Sequence, residues 1–217
     1  MKNLFLFDFD GVLVESLSVY EKTVTLCLKQ IGQPIISSRE EFLELFDENF
    51  YEALEKKGVD LKAFSRASGQ ILAQVRYDDI KPYFNVFPVV DDMRKKHTLV
   101  IISSNGSQAI RKALSPYHYD SFFEEILGSD FMYSKKEKID YAIEKYGMAR
   151  DRTFYIGDTV GDILEAKMAG VRSVGVTWGW HDRDRLARSA PDFLLETPEE
   201  LLNISSSAGS SPPSIQS

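Results

Sequence analysis

Asn3-Leu4-Phe5-Leu6-Phe7-Asp8-Phe9-Asp10-Gly11-Val12 is an apolar run that stops in two carboxylates and a glycine. Leu4 to Phe7 shows no alternation of polar and apolar side chains, which is the pattern of a strand covered on both faces of a parallel sheet. Asp8 and Asp10 then stand at the strand's C-terminal edge, where open α/β sheets take ligands. Two carboxylates one residue apart repel each other and lose hydration there. A divalent cation removes both penalties. With Asp8 on Mg²⁺, a phosphate drawn to the same cation brings phosphorus to the free Asp8 oxygen. Asp8 then acts as a carboxylate nucleophile. Asp10 gives a proton to the leaving oxygen and later takes one from water, and Gly11 allows a tight turn beside the phosphate. The competing reading of an isolated Asp-x-Asp-Gly is a strand end and cap without chemistry.

The 217 residues, 43% hydrophobic and 27% charged, suffice for one sizeable core plus an insertion or small second domain. A formal net charge of -7 argues against a nucleic-acid binder and against a basic membrane-surface protein. The single cysteine, Cys27, excludes an intramolecular disulfide and a cysteine zinc site, and reads as a small core residue in a reducing compartment. Asp8 and Asp10 interrupt the first apolar run before it can serve as a signal peptide, and no apolar stretch is long enough to span a bilayer. The expectation is a cytoplasmic enzyme, a monomer or weak homodimer.

Outward from the first strand, residues 16–81 read as helical. Leu17, Tyr20, Val24, Leu28 and Ile31 recur at helical spacing before Gly32 and Pro34. Ser38 and Glu41 have capping-box spacing, and Asp60 reads as the N-cap of a helix carrying Leu61, Phe64, Ile71, Leu72 and Val75. Residues 1–15 and 82–203 carry the α/β pattern. A short helix is expected over Val89–Lys96, strands over Thr98–Ile102 and Phe122–Leu127, and helices over Ser107–Leu114 and Lys135–Tyr146, the latter closed by Gly147. A strand over Thr153–Gly157 leads to a helix ending at Gly170, and Ser173–Thr177 forms another strand. Thr197-Pro198-Glu199-Glu200 reads as a helix start. Strands alternating with helices imply a parallel sheet. Residues 204–217, rich in Ser and Pro, read as a disordered tail.

Three strands thus end in polar residues suited to phosphate and metal: Asp8 with Asp10, Ser104, and Asp158. In a parallel sheet these ends share one edge. Ser104 offers a hydroxyl, beside the amides of the Asn105-Gly106 turn, to hold a non-reacting phosphate oxygen. Asp158 and Asp162 are spaced one helical turn apart, so that Asp158 would ligate a cation and Asp162 support it from behind. His97, His118 and His181 have no metal-ligand spacing and read as surface or loop residues. Trp178 and Trp180 read as packing near a strand end.

These residues resemble, in order, the four motifs of the haloacid dehalogenase superfamily: Asp8-Phe9-Asp10-Gly11-Val12, a strand ending at Ser104-Asn105, a lysine before a helix, and Gly157-Asp158-x-x-x-Asp162. The arrangement is most similar to the phosphoglycolate-phosphatase-like hydrolases, over about residues 1–16 and 82–200. The resemblance implies an α/β fold: a Rossmann-like parallel sheet core with an inserted small helical cap domain. It further implies Mg²⁺-dependent hydrolysis of a small phosphorylated metabolite, with Asp8 as nucleophile and metal ligand, Asp10 as acid/base with its carbonyl on the metal, Asp158 as metal ligand, and Ser104, Asn105 and Lys135 on the phosphate. In Lys135-Lys136-Glu137-Lys138-Ile139 the resemblance favours Lys135 over Lys136. Asp10 argues for phosphate over halide as leaving group, because halide needs no proton. A sugar phosphomutase and a catalytically silent Mg²⁺- or phosphate-binding module remain as alternatives.

Overall fold

The opening run forms β1 (Leu4–Phe7), and all four of its side chains are buried completely. In the computed structural model of the protein, which describes residues 2–72, 80–132 and 134–204, β1 is followed by β2 (Val14–Glu15) and by helices α1 (Leu17–Gln30), α2 (Arg39–Glu44), α3 (Phe50–Lys56) and α4 (Leu61–Leu72). Then come β3 (Lys81–Pro82), α5 (Val86–Arg94), β4 (Thr98–Ile102), α6 (Ser107–Leu114), β5 (Glu125–Leu127), α7 (Lys135–Tyr146), β6 (Thr153–Gly157) and α8 (Val160–Met168). The chain finishes with β7 (Arg172–Val176), α9 (Arg183–Arg188), β8 (Phe193–Leu195) and α10 (Leu201–Ile204). The main sheet has the order β5-β4-β1-β6-β7-β8, and every neighbouring pair is parallel.

The lack of polar alternation in β1 follows from its central place. Phe5 and Phe7 face one side with Leu99, Ile101, Phe154 and Ile156, packed against Val90 and Met93 of α5 and Ile110 of α6. Leu4 and Leu6 face the other with Val100, Ile102 and Tyr155, against Ile139 of α7 and Ala166 of α8. Each of these buried side chains contributes about 2 kcal/mol of apolar transfer.

The helical stretch leaves and rejoins the sheet at one place, where β2 and β3 pair antiparallel, Val14 with Pro82 and Glu15 with Lys81. Between them α1–α4 close around a cluster of their own that includes Val24, Cys27, Leu28, Phe42, Leu54 and Phe64. The starts of α2, α3 and α4 are set by side-chain caps. Ser38 Oγ accepts from Glu41 N at 3.1 Å, and Asp60 Oδ1 accepts from Lys62 and Ala63 N at 3.0 Å. Gly147, at φ +60°, closes α7.

Several expected bounds shift. The helix expected from Val89 begins at Val86, because Pro88 falls in the first turn, where no N–H is bonded within the helix anyway. Of Phe122–Leu127 only Glu125–Leu127 is strand, since Tyr119–Phe122 forms a 3-10 turn. The helix begun by Thr197 and Pro198 opens as a 3-10 turn, Pro198–Glu200, before α10. The β2–β3 pair, α9 and β8 have no counterpart in the sequence reading. Val75 and the proposed tail, apart from Ile204, lie outside the described residues. Among the described residues no helix is long and apolar enough to cross a membrane.

Candidate active site

Strand register brings the polar ends together. Phe7 lies beside Ile101 and Ile156, and Asp8 N–H continues the ladder to the Ile156 carbonyl at 2.8 Å. Asp8, Ser104 and Asp158 therefore emerge at one edge, joined by Lys135 from the first turn of α7. A cavity of about 50 Å³ lies among them, with Asp10 and Asp162 also in its lining. Carboxylate oxygens of Asp8, Asp158 and Asp162 lie within 4.8 Å of one another, and all three residues are buried.

Lys135 is the ammonium set against this charge. Its Nζ donates to Asp8 Oδ2 at 2.8 Å and to Asp162 Oδ1 at 2.5 Å. Lys136 points away, its side chain 46% exposed and paired with Asp140 at 2.7 Å. The start of α7, capped by Ser134, thus sends the first lysine inward. Burial opposes the Lys135 charge, but Asp162 and Asp8 outweigh it and hold the lysine's pKa well above the usual range. Burial would likewise raise Asp162, yet Lys135 and Thr159 keep it low. Burial pushes up Asp8 against the opposing pull of Lys135, pushes Asp158 well up with Asp162 and Asp8 adding to it, and carries Asp10 to about 6.

Three buried carboxylates, Asp8, Asp158 and Asp162, with half-buried Asp10 beside them and one ammonium that contacts two of them, leave an excess of negative charge that a divalent cation fits. Asp162 has both oxygens engaged. Oδ1 accepts from Lys135 and from Tyr155 Oη at 3.3 Å, and Oδ2 accepts from Thr159 N at 3.1 Å and Thr159 Oγ1 at 2.7 Å. Among the described residues the Asp158 side chain accepts one hydrogen bond, from the Trp180 N–H on Oδ2 at 2.7 Å. Asp8 has both oxygens engaged, Oδ2 by Lys135 and Oδ1 by the Phe9 N–H at 2.7 Å, so hydrogen bonding singles out Asp158 as the side chain open to the ion, with Asp8 beside it in the same cluster. Two glycines pack against Asp158 and fix its place. A Cβ on Gly11, already at φ +70°, would fall 1.9 Å from Asp158 Oδ2, and one on Gly179 would fall 2.3 Å from Asp158 Cβ.

Some expected placements change. Asp158 and Asp162 do not meet across one helical turn. Asp158 precedes the helix, Thr159 is the N-cap of α8, and Asp162 completes a capping box with it. Asn105 turns to Asp10 instead of outward: its Nδ2 donates to Asp10 Oδ2 at 2.6 Å, and its backbone N–H donates to Ser103 Oγ at 3.0 Å. Ser104 lines the cavity, while the Asn105 side chain is bonded to Asp10. His181 is not a surface residue; it is 1% exposed. Val160 N–H donates to its Nδ1 at 3.1 Å, so its Nε2 carries the proton and donates to the Leu43 carbonyl at 3.1 Å.

Sequence reasoning did not single out Lys138, Asn49, Glu165 or the aromatic side of the cavity. Lys138 is fully buried and donates to the Ser103 carbonyl at 2.6 Å, tying α7 to the loop that carries Ser104. The signal was present, since Lys138 stands four residues before Ala142 on the buried face of α7. Asn49 Nδ2 donates to Glu165 Oε1 at 3.1 Å, so the cap residue of α3 also grips α8. Nearby, Gly161 N–H donates to the Phe46 carbonyl at 2.8 Å, and Arg185 pairs with Asp47 and Glu40. Trp180 does pack near a strand end, but its ring sits in the cluster of the helical layer.

Residues 5–176 match the family model of the haloacid dehalogenase-like hydrolases. A phosphoglycolate phosphatase of Synechococcus elongatus is 29% identical over 202 residues, covering 91% of this chain and 94% of that protein. A pyrophosphatase PpaX of Listeria monocytogenes is 27% identical over 208 residues, covering 92% of this chain and 94% of that protein. The fold matches that of a haloacid dehalogenase-like family hydrolase from Streptococcus pneumoniae, with TM-score 0.78, 19% identity and coverage of 94% and 98% of the two chains. With the strand-end carboxylates and strands β4, β5, β6 and β7 inside residues 5–176, the chain belongs to the haloacid dehalogenase-like hydrolases and is similar there to proteins named as phosphoglycolate phosphatases and pyrophosphatases.

Proposed function

We propose that the protein hydrolyses a small phosphorylated metabolite, with Mg²⁺, through an aspartyl-phosphate on Asp8. The observation that carries this reading is the concentration of Asp8, Asp10, Asp158 and Asp162 at one sheet edge, with Lys135 bonded to both Asp8 and Asp162. Asp8 and Asp158, together with the Asp10 carbonyl, would hold the cation. When bound, it neutralises phosphate charge and lets an anionic carboxylate approach an anionic phosphorus.

Lys135 orients Asp8 and, with Ser104, holds the phosphate's non-reacting oxygens. An Asp8 oxygen attacks phosphorus as the bond to the substrate's ester oxygen breaks. Asp10, whose pKa burial raises to about 6 so that a minor fraction carries a proton at neutral pH, gives that proton to the departing oxygen. As a carboxylate it then takes a proton from water, whose oxygen attacks phosphorus. The bond to Asp8 breaks, and phosphate leaves with Asp8 restored. Asn105 keeps Asp10 aimed at the leaving group, and Thr159 with Lys135 keeps Asp162 from competing for the ion.

In this reading residues 16–81 are a cap over a core made of 1–15 and 82–203, and closure of the cap excludes bulk water from the attack. The supporting contacts are those of Asn49, Phe46 and His181 between the two layers. The experiment is phosphate release from p-nitrophenyl phosphate with Mg²⁺, and again in excess EDTA. Turnover should vanish on chelation and return when Mg²⁺ is restored. Undiminished turnover in EDTA would remove the metal from the reaction.

A further inference from the structure

The cavity over Asp8 has two unlike walls. The sheet edge supplies the carboxylates, Ser104 and Lys135. The opposite wall is aromatic: Tyr20, Phe46, Phe50 and Tyr51 from the helical layer and Trp180 from the loop after β7. The rings form a continuous surface. Phe46 meets Trp180 edge-on at 4.9 Å and stacks on Phe50 at 5.1 Å, Phe50 meets Tyr51 at 5.3 Å, and Tyr20 lies 5.4 Å from Trp180.

The polar residues beside these rings add no positive charge. They are Glu48, Asn49 and Glu165. Asn49 is already bonded to Glu165 and to the first turn of α3, and Glu48 is tied to Lys56, which does not line the cavity. Among the described residues Lys135 is the one cation of the lining, and its ammonium is shared between Asp8 and Asp162. Through Glu48, Asn49, Tyr51 and Glu165 the cavity adjoins a broader groove past Leu61, Leu164 and Met168. The cations Lys62, Arg66, Lys136 and Lys167 line that groove and not the cavity.

Among the described residues, an anion beside the reacting phosphorus therefore meets no cation other than the shared Lys135. The carboxylate of phosphoglycolate, one methylene from the ester oxygen, and the second phosphate of pyrophosphate would each press against rings and two carboxylates in a low-dielectric space. An apolar or aromatic group would instead bury surface against the same rings.

We propose, resting on the phosphatase reading above, that the leaving group taken here is an uncharged, largely apolar alcohol or phenol with no second anion near phosphorus. Phosphoglycolate and pyrophosphate, the compounds named for the relatives, are then poor substrates of this protein.

The test compares kcat/KM of the Mg²⁺-loaded protein for ortho-ethylphenyl phosphate and ortho-carboxymethylphenyl phosphate, which match in size and differ by one charge set close to the ester oxygen. Phosphoglycolate and pyrophosphate are run alongside. The carboxylate-bearing ester should be poorer by about tenfold or more, the size of an unscreened like-charge contact in such a site. Phosphoglycolate and pyrophosphate should be poorer still. Glu48→Gln should narrow the gap within the matched pair, mainly through KM of the charged member. Equal or better turnover of the carboxylate ester, phosphoglycolate or pyrophosphate would overturn the inference and leave the phosphatase reading standing. No phosphate release from any of the four would overturn both.

Discussion

Lys135 and Gly11 show how much of the site hangs on single residues. Removing the Lys135 ammonium leaves Asp8 and Asp162 as unpaired buried carboxylates, a change that costs about 3 kcal/mol or more. Lys135→Ala should therefore lose nearly all turnover and unfold at lower urea. Lys136→Ala, which breaks an exposed pair worth about 0.5 kcal/mol at most, should change neither. The opposite ranking would give the site to Lys136. Gly11→Ala has no room, because its Cβ would overlap the Asp158 carboxylate and the backbone there is left-handed. The variant should keep its far-ultraviolet circular dichroism and lose phosphate release, whereas retained turnover would show that Asp158 can shift at no cost to the reaction. At this scale Asp8, Asp10 and Asp158 were legible in the sequence, since each follows an apolar strand. Asn105 was not, because adjacency in the chain cannot tell which of its N–H groups turn inward.

Among the elements, the loop between β7 and α9 joins the helical layer to the sheet. Trp180 fills the aromatic cluster of α1–α3, and His181 bridges the Val160 amide and the Leu43 carbonyl. Trp180→Ala should cost about 3 kcal/mol, and the loss should be local. His181→Phe removes both bonds and leaves the half-buried Val160 N–H without its acceptor, while the Leu43 carbonyl keeps the Phe46 N–H at 3.0 Å. In either variant, amide hydrogen exchange should quicken across residues 39–56 and at the start of α8, while β1, β4 and β6 keep their protection. Uniform quickening over the sheet would show that the loop supports the whole fold and not the contact between layers. The long elements of the core could be read from periodicity and caps, as α1, α7 and β1 were. β8 and α9 could not. One has three residues, and the other, Arg183–Arg188, hides its single buried apolar residue, Leu186, in a charged run. His181 escaped for a related reason: its partners lie 21 and 138 residues away in the chain.

The molecule as a whole works by convergence. A parallel sheet aligns the ends of β1, β4 and β6, so residues up to 150 positions apart share one cavity, and the pair β2–β3 hinges a helical layer over it. That architecture was legible from the alternation of apolar strands and helices. The aromatic lining was not, because Tyr20, Phe46 and Phe50 read equally well as the interior of a helical layer, which they also are. If this convergence makes Asp8 a nucleophile and Asp10 its acid and base, the two roles separate in one measurement. With p-nitrophenyl phosphate the leaving group needs little protonation, so Asp10→Asn should still be phosphorylated but should hydrolyse the phosphoenzyme slowly. Rapid-mix kinetics with intact-mass analysis should then show a burst of nitrophenol and a gain of one phosphoryl group on Asp8, labile to hydroxylamine, while Asp8→Asn shows neither. An adduct on a serine or histidine, or unimpaired steady-state turnover in Asp8→Asn, would contradict the account.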